Sequence, residues 1–249
     1  KKNLQVKRSI LEVCYRKGGH VATSFSCSEI LSYLYFNKII KFKKNSNKLV
    51  ISKGHSSEAI YSVLLELGII SKNTFNKDYS AGKFILGEHI SREINGIEFS
   101  SGALGHGLPF ACGKALALKK NNKKQKVFVL AGDAEFCEGS MWEALMFSLQ
   151  QKLSNLYIII DYNKIGSLDF LKNTAPLDKF FSQLKNLGFK TFEVNNGNSF
   201  KEIHKLFLKI KSNKSKNPKI ILLKTIKGSG VSIFENDPIW HVKKISKQD

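Results

Sequence analysis

Two apolar runs of five residues, Val127–Ala131 and Leu156–Ile160, constrain this chain most. Each has the length of a strand, and a strand that is apolar at nearly every position is covered on both faces. Between them, Glu138–Gln151 has helical spacing, with Trp142, Leu145, Met146 and Leu149 on one face. Strand, helix and strand at this spacing make a βαβ unit. The expected fold class is therefore α/β, a parallel sheet with helices on both faces.

The flanking segments extend this pattern. Ile30, Leu31, Leu34 and Tyr35 follow Ser28 at helical spacing, so a helix is expected from Ser28. Ser57–Leu67 repeats the pattern, with Gly68 as its stop, and Leu108–Lys119 reads as a helix leaving a glycine-rich turn. Ser71–Phe99 reads as a long loop region with short helical pieces. Phe189–Val194 and Lys219–Leu223 read as strands, with a helix at Phe200–Ile210 between them. Nothing marks an interdomain linker, so residues 1–249 are expected to form one domain.

The net charge of +20 raises the question of nucleic acid. The arginines number three, Arg8, Arg16 and Arg92, although Arg is the residue suited to bidentate phosphate and base contacts. The lysines are spread along the chain among many asparagines and form no nucleic-acid motif. Solvated lysine faces are the expectation, with no nucleic-acid partner. No apolar run approaches the ~20 residues of a membrane helix, so no membrane partner is expected. Lys1-Lys2-Asn3-Leu4 lacks the apolar core and cleavage site of a signal peptide, and it also lacks an initiating Met, which leaves room for a natural start upstream. Cys14, Cys27, Cys112 and Cys137 form no C-x-x-C pair, which argues against a zinc or redox site and fits reduced thiols in a cytoplasmic protein.

Both buried runs end on polar residues. Gly132-Asp133-Ala134-Glu135 follows the first, and Asp161-Tyr162-Asn163-Lys164-Ile165 follows the second. Each lies past the carboxyl end of a parallel strand, where open α/β sheets bind ligands. If the two strands are close in the sheet, Asp133 and Asn163 converge. One carboxylate and one amide oxygen suit Mg²⁺, which completes its octahedron with phosphate oxygens and water. Asp and Asn are also common turn residues at strand ends.

A Gly-Asp-Gly followed about thirty residues later by Asn is the thiamine-diphosphate motif, and this segment is similar to it. Gly132 through Ala144 and the Lys152-Leu153-Ser154-Asn155-Leu156 approach resemble the transketolase family's version. The resemblance implies thiamine diphosphate with Mg²⁺, or Ca²⁺ or Mn²⁺ as substitute. The implied metal ligands are the Asp133 carboxylate, the Asn163 amide oxygen and the Ile165 carbonyl, and the implied cofactor contacts include Gly132 and Ala134. Ala134 stands where the motif has its second glycine. Gly102-Ala103-Leu104-Gly105-His106-Gly107 resembles the family's loop against the cofactor rings, through Gly102 and Leu104. Glycines before a helix also let backbone N–H groups approach phosphate.

Gly18-Gly19-His20, Ser52-Lys53-Gly54-His55, Gly87-Glu88-His89 and Trp240-His241 resemble four histidine motifs of the family. By that resemblance His55 lies on the diphosphate side, while His20, His89 and His241 face substrate as catalytic groups, with His241 also near the cofactor. Thr23 and Lys227 match cofactor contacts. Histidine titrates near neutrality and serves as acid and base. His204, among Ile203, Leu206, Phe207 and Ile210, reads as structural. Val21 and Ile90 stand where the family has Pro after the first and third histidines.

Only the diphosphate-binding domain of the family is represented; its pyrimidine-binding and C-terminal domains find no place in 249 residues. The chain is then either a fragment or the N-terminal subunit of a split transketolase, and the polar tail after His241 fits the end of such a subunit. Its implied partner is a C-terminal subunit carrying the pyrimidine-binding domain, in an α2β2 heterotetramer, with sugar or sugar-phosphate substrates exchanging a two-carbon ketol unit. Glu138 and Glu143 resemble residues that link cofactor sites across subunits, and equally read as first-turn helix charges. The alternatives are another thiamine-diphosphate enzyme, of the deoxyxylulose-phosphate-synthase or 2-oxoacid dehydrogenase kind, or a noncatalytic basic binding protein.

Overall fold

The uninterrupted apolar runs form the middle of a sheet. A computed structural model describes residues 1–249 except 81, 82 and 84. Five strands, β1 (Lys48–Ile51), β2 (Val127–Gly132), β3 (Leu156–Tyr162), β4 (Lys190–Val194) and β5 (Lys219–Lys224), pair in the order β1-β2-β3-β5-β4. Every pairing is parallel. β2 and β3 are buried at every residue, as their composition requires. β4, an edge strand, is only partly covered and alternates more polar residues.

Side chains alternate across the pleat and feed two cores. Phe128, Leu130, Tyr157 and Ile159 face one layer; Val127, Val129, Ile158 and Ile160 face the other. The first layer holds α1 (Lys2–Lys17), α2 (Val21–Phe36), α3 (Ser57–Glu66) and α4 (Lys72–Asp78). The second holds α5 (Gly107–Lys120), α6 (Gly139–Gln150), α7 (Leu171–Thr174) and α8 (Leu177–Gln183). A further helix, α9 (Phe200–Ser212), returns to the first layer through Ile203, Leu206 and Ile210. This is the α/β class with helices on both faces.

Two local expectations differ from the structure, and one strand had no expectation at all. The helix expected from Ser28 starts at Val21, because α2 is buried on all sides from Val21 to Tyr35. Such a helix has no polar stripe to mark its ends. Its interior serines are satisfied internally: Ser24 donates to Glu58, Ser26 to Asp161 and Ser28 to the Phe25 carbonyl. On α6 the buried stripe is Met141, Ala144, Leu145 and Ser148, an i, i+3, i+4, i+7 set, and Met146 is exposed. β1 had no sequence assignment, since its apolar core is the three residues Leu49, Val50 and Ile51. Between residues 71 and 99, α4 is the regular element among the described residues, and the expected loop at 81, 82 and 84 lies outside them.

Candidate functional site

The register between β2 and β3 builds the floor of a cleft. Gly132 pairs with Asp161, so Asp133 and Asn163 emerge side by side at the carboxyl ends of adjacent strands. Both are buried. The Asp133 carboxylate accepts the Ala134 N–H at 2.8 Å and the Lys164 N–H at 2.5 Å. Lys164 adopts a left-handed φ of 65°, which bends the 163–165 loop over Asp133. Asn163 donates its amide to Ser26 Oγ at 3.0 Å, and its Oδ1 accepts the Ile165 N–H at 3.1 Å. Burial and the nearby Asp161 carboxylate push the Asp133 pKa up to about 7.

Beneath them lies a buried cation absent from the sequence-based candidates. Lys53, in the turn after β1, forms an ion pair with Asp161, and both side chains are almost fully buried. Asp161 also accepts the Ser26 hydroxyl at 2.8 Å and the Thr225 hydroxyl. Burial works against the Lys53 ammonium, but Asp161 outweighs it and holds the lysine above its ordinary value. Glu135, equally unforeseen, accepts the Ser52 hydroxyl, the Gly105 N–H at 3.0 Å and the Gly132 N–H at 3.3 Å. It thereby ties three loops together, and burial raises its carboxyl. Strand-end position was the available signal for Asp161; Lys53 and Glu135 stood inside quoted motifs without a distinguishing mark.

The glycine-rich segment closes one wall. A Cβ on Gly54 would lie 2.5 Å from the Gly102 nitrogen, and one on Gly102 would lie 3.0 Å from the His89 ring. Gly105, at φ 81°, would drive a Cβ to 2.4 Å from Ser140 Oγ. The Gly54 and Gly102 loops pack backbone to backbone, an approach that favours glycine, whereas Gly102 and Gly105 lie against side chains. Ile90 extends the same contact: its N–H donates to the Ser101 carbonyl at 3.1 Å, and Ser101 N–H returns to the Ile90 carbonyl at 2.9 Å. A proline there would lack the first bond. Val21 is the first residue of α2, where an N–H has no helical partner in any case.

Four histidines crown the cleft. The His20 ring centroid lies 5.1 Å from that of His241, 5.8 Å from His55 and 6.4 Å from His89. His55 and His241 are 5.3 Å apart. Burial lowers His20 to about 4 and His241 to about 3, and drives His55 well below its ordinary value. The three rings are therefore neutral at pH 7. Among the described residues, the buried His20 Nδ1 has no hydrogen-bond partner. His241 Nδ1 lies 3.2 Å from Lys227 Nζ and 3.4 Å from Thr23 Oγ1. Lys227 also donates to the Gly166 carbonyl at 2.7 Å, and burial followed by the charge of Lys53 lowers it to about 7.

The residues expected to act in catalysis or to bind cofactor or metal line this one cavity of about 210 Å³: His20, Thr23, His55, His89, Gly102, Leu104, Gly132, Asp133, Ala134, Asn163, Ile165, Lys227 and His241. Glu138 and Glu143 are exposed at the start of α6, outside it. His204 bonds Tyr33 across 2.9 Å between α9 and α2, far from this cleft. A larger cavity of about 730 Å³ opens at the other end of the sheet, lined by Tyr33, Lys126, Phe128 and Phe207. It holds none of the candidate residues.

Among the described residues no group of three or more His, Cys, Asp or Glu side chains forms a metal cluster. Asp133, Asn163 and Ile165 line one cavity, and the carboxylate, amide oxygen and backbone carbonyl they carry are hard oxygen donors that leave positions for phosphate and water. They fit Mg²⁺ accompanied by a diphosphate. The unpartnered His20 nitrogen above them fits a polar ligand entering from the same side.

Residues 8–249 match the family model described as the transketolase, thiamine diphosphate binding domain. The chain belongs to the transketolase family. An apulose-4-phosphate transketolase subunit from Actinobacillus succinogenes is 35% identical over 256 residues, spanning 100% of this chain and 90% of that one. A 6-deoxy-6-sulfo-D-fructose transketolase subunit from Clostridium sp. is 30% identical over 250 residues, spanning 98% and 90%. The fold of the Leishmania mexicana transketolase superposes with a TM-score of 0.87 at 23% identity. This transketolase-family chain covers 100% of its own length there and 39% of the solved chain. Among its described residues, no helix is long and apolar enough to cross a membrane.

Proposed function

We propose that this chain is the diphosphate-binding subunit of a split transketolase, transferring a two-carbon ketol unit between sugars or sugar phosphates. The convergence of Asp133, Asn163 and Ile165 with four histidines in one cleft carries the reading. It is supported by relatives of similar length that bear the name of transketolase subunits. Residues 1–249 then constitute one diphosphate-binding domain. The partner is a chain carrying the pyrimidine-binding domain, assembled as an α2β2 heterotetramer. The four free cysteines suit a reducing compartment, and we place the enzyme in the cytoplasm.

Asp133, Asn163 and the Ile165 carbonyl would hold Mg²⁺, for which Ca²⁺ or Mn²⁺ could substitute. Gly132, Ala134, His55, Lys227 and Thr23 would surround the diphosphate, with Gly102 and Leu104 against the rings. Bound thiamine diphosphate supplies a carbon nucleophile and an electron sink. The chain's own residues orient the substrate and move protons. His20, His89 and His241 stand where a donor hydroxyl would enter. As a neutral ring, His20 can accept a hydroxyl proton and return it, while His241 offers a hydrogen-bond donor. Lys227 beside His241 Nδ1 favours the Nε2–H tautomer, leaving that N–H to donate.

Reconstitution with a pyrimidine-domain subunit tests the reading. Ketol transfer from a ketose or ketose phosphate to an aldose should require both chains, thiamine diphosphate and a divalent cation. Decarboxylation of a 2-oxoacid by the same mixture, without ketol transfer, would assign the chain to another thiamine-dependent class.

A further inference from the structure

His20 lines the cleft, and among the described residues nothing hydrogen-bonds its ring Nδ1. With no hydrogen bond on Nδ1, the placement of the ring depends on the backbone that carries it. That backbone is irregular: Gly18 and Gly19 have φ of 82° and 130°, and His20, at φ −100° and ψ 68°, precedes the first turn of α2. A buried carboxylate secures the turn. Glu58, in the first turn of α3, is 0% exposed. It accepts the Tyr79 hydroxyl at 2.6 Å, the Ser24 hydroxyl at 2.7 Å and the His20 N–H at 3.1 Å. A Cβ on Gly19 would come within 2.2 Å of Glu58 Oε1 and 2.8 Å of the Tyr79 hydroxyl, so the glycine backbone lies directly on the carboxylate.

We propose that Glu58 is a positioning residue that clamps the Gly19–His20 turn and so aims the His20 ring into the cleft. The clamp joins α2, α3 and the segment after α4 at one point, and a lost acceptor would leave the His20 N–H unsatisfied in the interior. It works by hydrogen bonding rather than by charge. Oε1 takes both Tyr79 and His20, while the Ser24 hydroxyl can reverse and accept from an amide. Glutamine therefore preserves every bond, and methionine preserves none. The inference rests on the reading of His20 as a group that meets substrate.

The test compares Glu58→Gln and Glu58→Met by amide hydrogen exchange and His ring NMR on the folded chain, then by steady-state kinetics in the reconstituted enzyme. Glu58→Met should speed exchange at the His20 amide by about tenfold or more. It should shift or split the His20 ring signals and lower kcat, while the β2 and β3 amides stay protected. Glu58→Gln should restore the wild-type values. An unchanged His20 in folded Glu58→Met, or a Gln variant as disturbed as Met, overturns the clamp. If Glu58→Met does not fold, Tyr79→Phe replaces it: freed of the hydroxyl that shares Oε1, the carboxylate can turn, and the same signals should move. Their constancy overturns the clamp equally. The exchange readout needs neither cofactor nor partner, so an inactive enzyme with His20 held as described contradicts the proposed function and not the clamp.

Discussion

Lys53 and Asp161 form a buried ion pair that joins the turn after β1 to the end of β3, directly under Asp133 and Asn163. The pair connects folding to the site, since Asp161 shares Ser26 with the Asn163 amide. Removing one member leaves the other as an uncompensated buried charge.

Lys53→Met is expected to destabilise the chain by about 3–5 kcal/mol, in the range seen when one partner of a buried pair is lost. Lys53→Met/Asp161→Leu should recover much of that loss, because an apolar pair requires no desolvation of charge. Denaturant unfolding of the three proteins measures both. A single variant as stable as wild type would mean the two groups are not ionised together.

Ile90→Pro inserts the residue that the family carries at this position. Here the Ile90 N–H is bonded to Ser101, so the proline should loosen the link between His89 and the Gly102 loop. The expected cost is about 1–3 kcal/mol for the Ser101 carbonyl left without its donor. Thermal unfolding reads it. A more stable variant would show that the bridge contributes nothing.

His20 gives the fold a dependence on pH. Burial holds its folded pKa at about 4, below the ~6.5 of an exposed histidine. Between those values the unfolded chain binds more protons than the folded one, so stability falls as pH drops. The contribution is fully present above about pH 6.5 and is lost progressively as pH falls through about 4. Buried Glu58 and Glu135, whose carboxyls are raised, act in the opposite sense. The diagnostic is therefore a difference: unfolding free energy of wild type minus His20→Gln should decrease from pH 7.5 to pH 5. A constant difference would place His20 in contact with water.

Much of this was readable in the sequence because the decisive signals are local. Val127–Ala131 and Leu156–Ile160 declare a doubly covered strand, and the residues that follow them inherit the ligand-binding end of the sheet. Glycine spacing did the same for the 102–107 loop. What escaped depended on neighbours distant in the chain. Lys53 is unremarkable until Asp161, 108 positions away, is brought against it. Glu135 takes its meaning from Ser52 and Gly105, and Glu58 from Tyr79 and the His20 N–H. The start of α2 was hidden because serines satisfied inside the core resemble serines at a cap. Ala134 lines the cleft near Gly166.

The central assignment is that Asp133 and Asn163 hold a cation that holds the diphosphate. Titration calorimetry of thiamine diphosphate, with the chain alone and with a pyrimidine-domain subunit, tests it directly. Binding should require Mg²⁺, Ca²⁺ or Mn²⁺, and Asp133→Ala should weaken it by roughly a hundredfold, about 2.7 kcal/mol. Cation-independent binding, or equal binding by Asp133→Ala, would contradict the assignment.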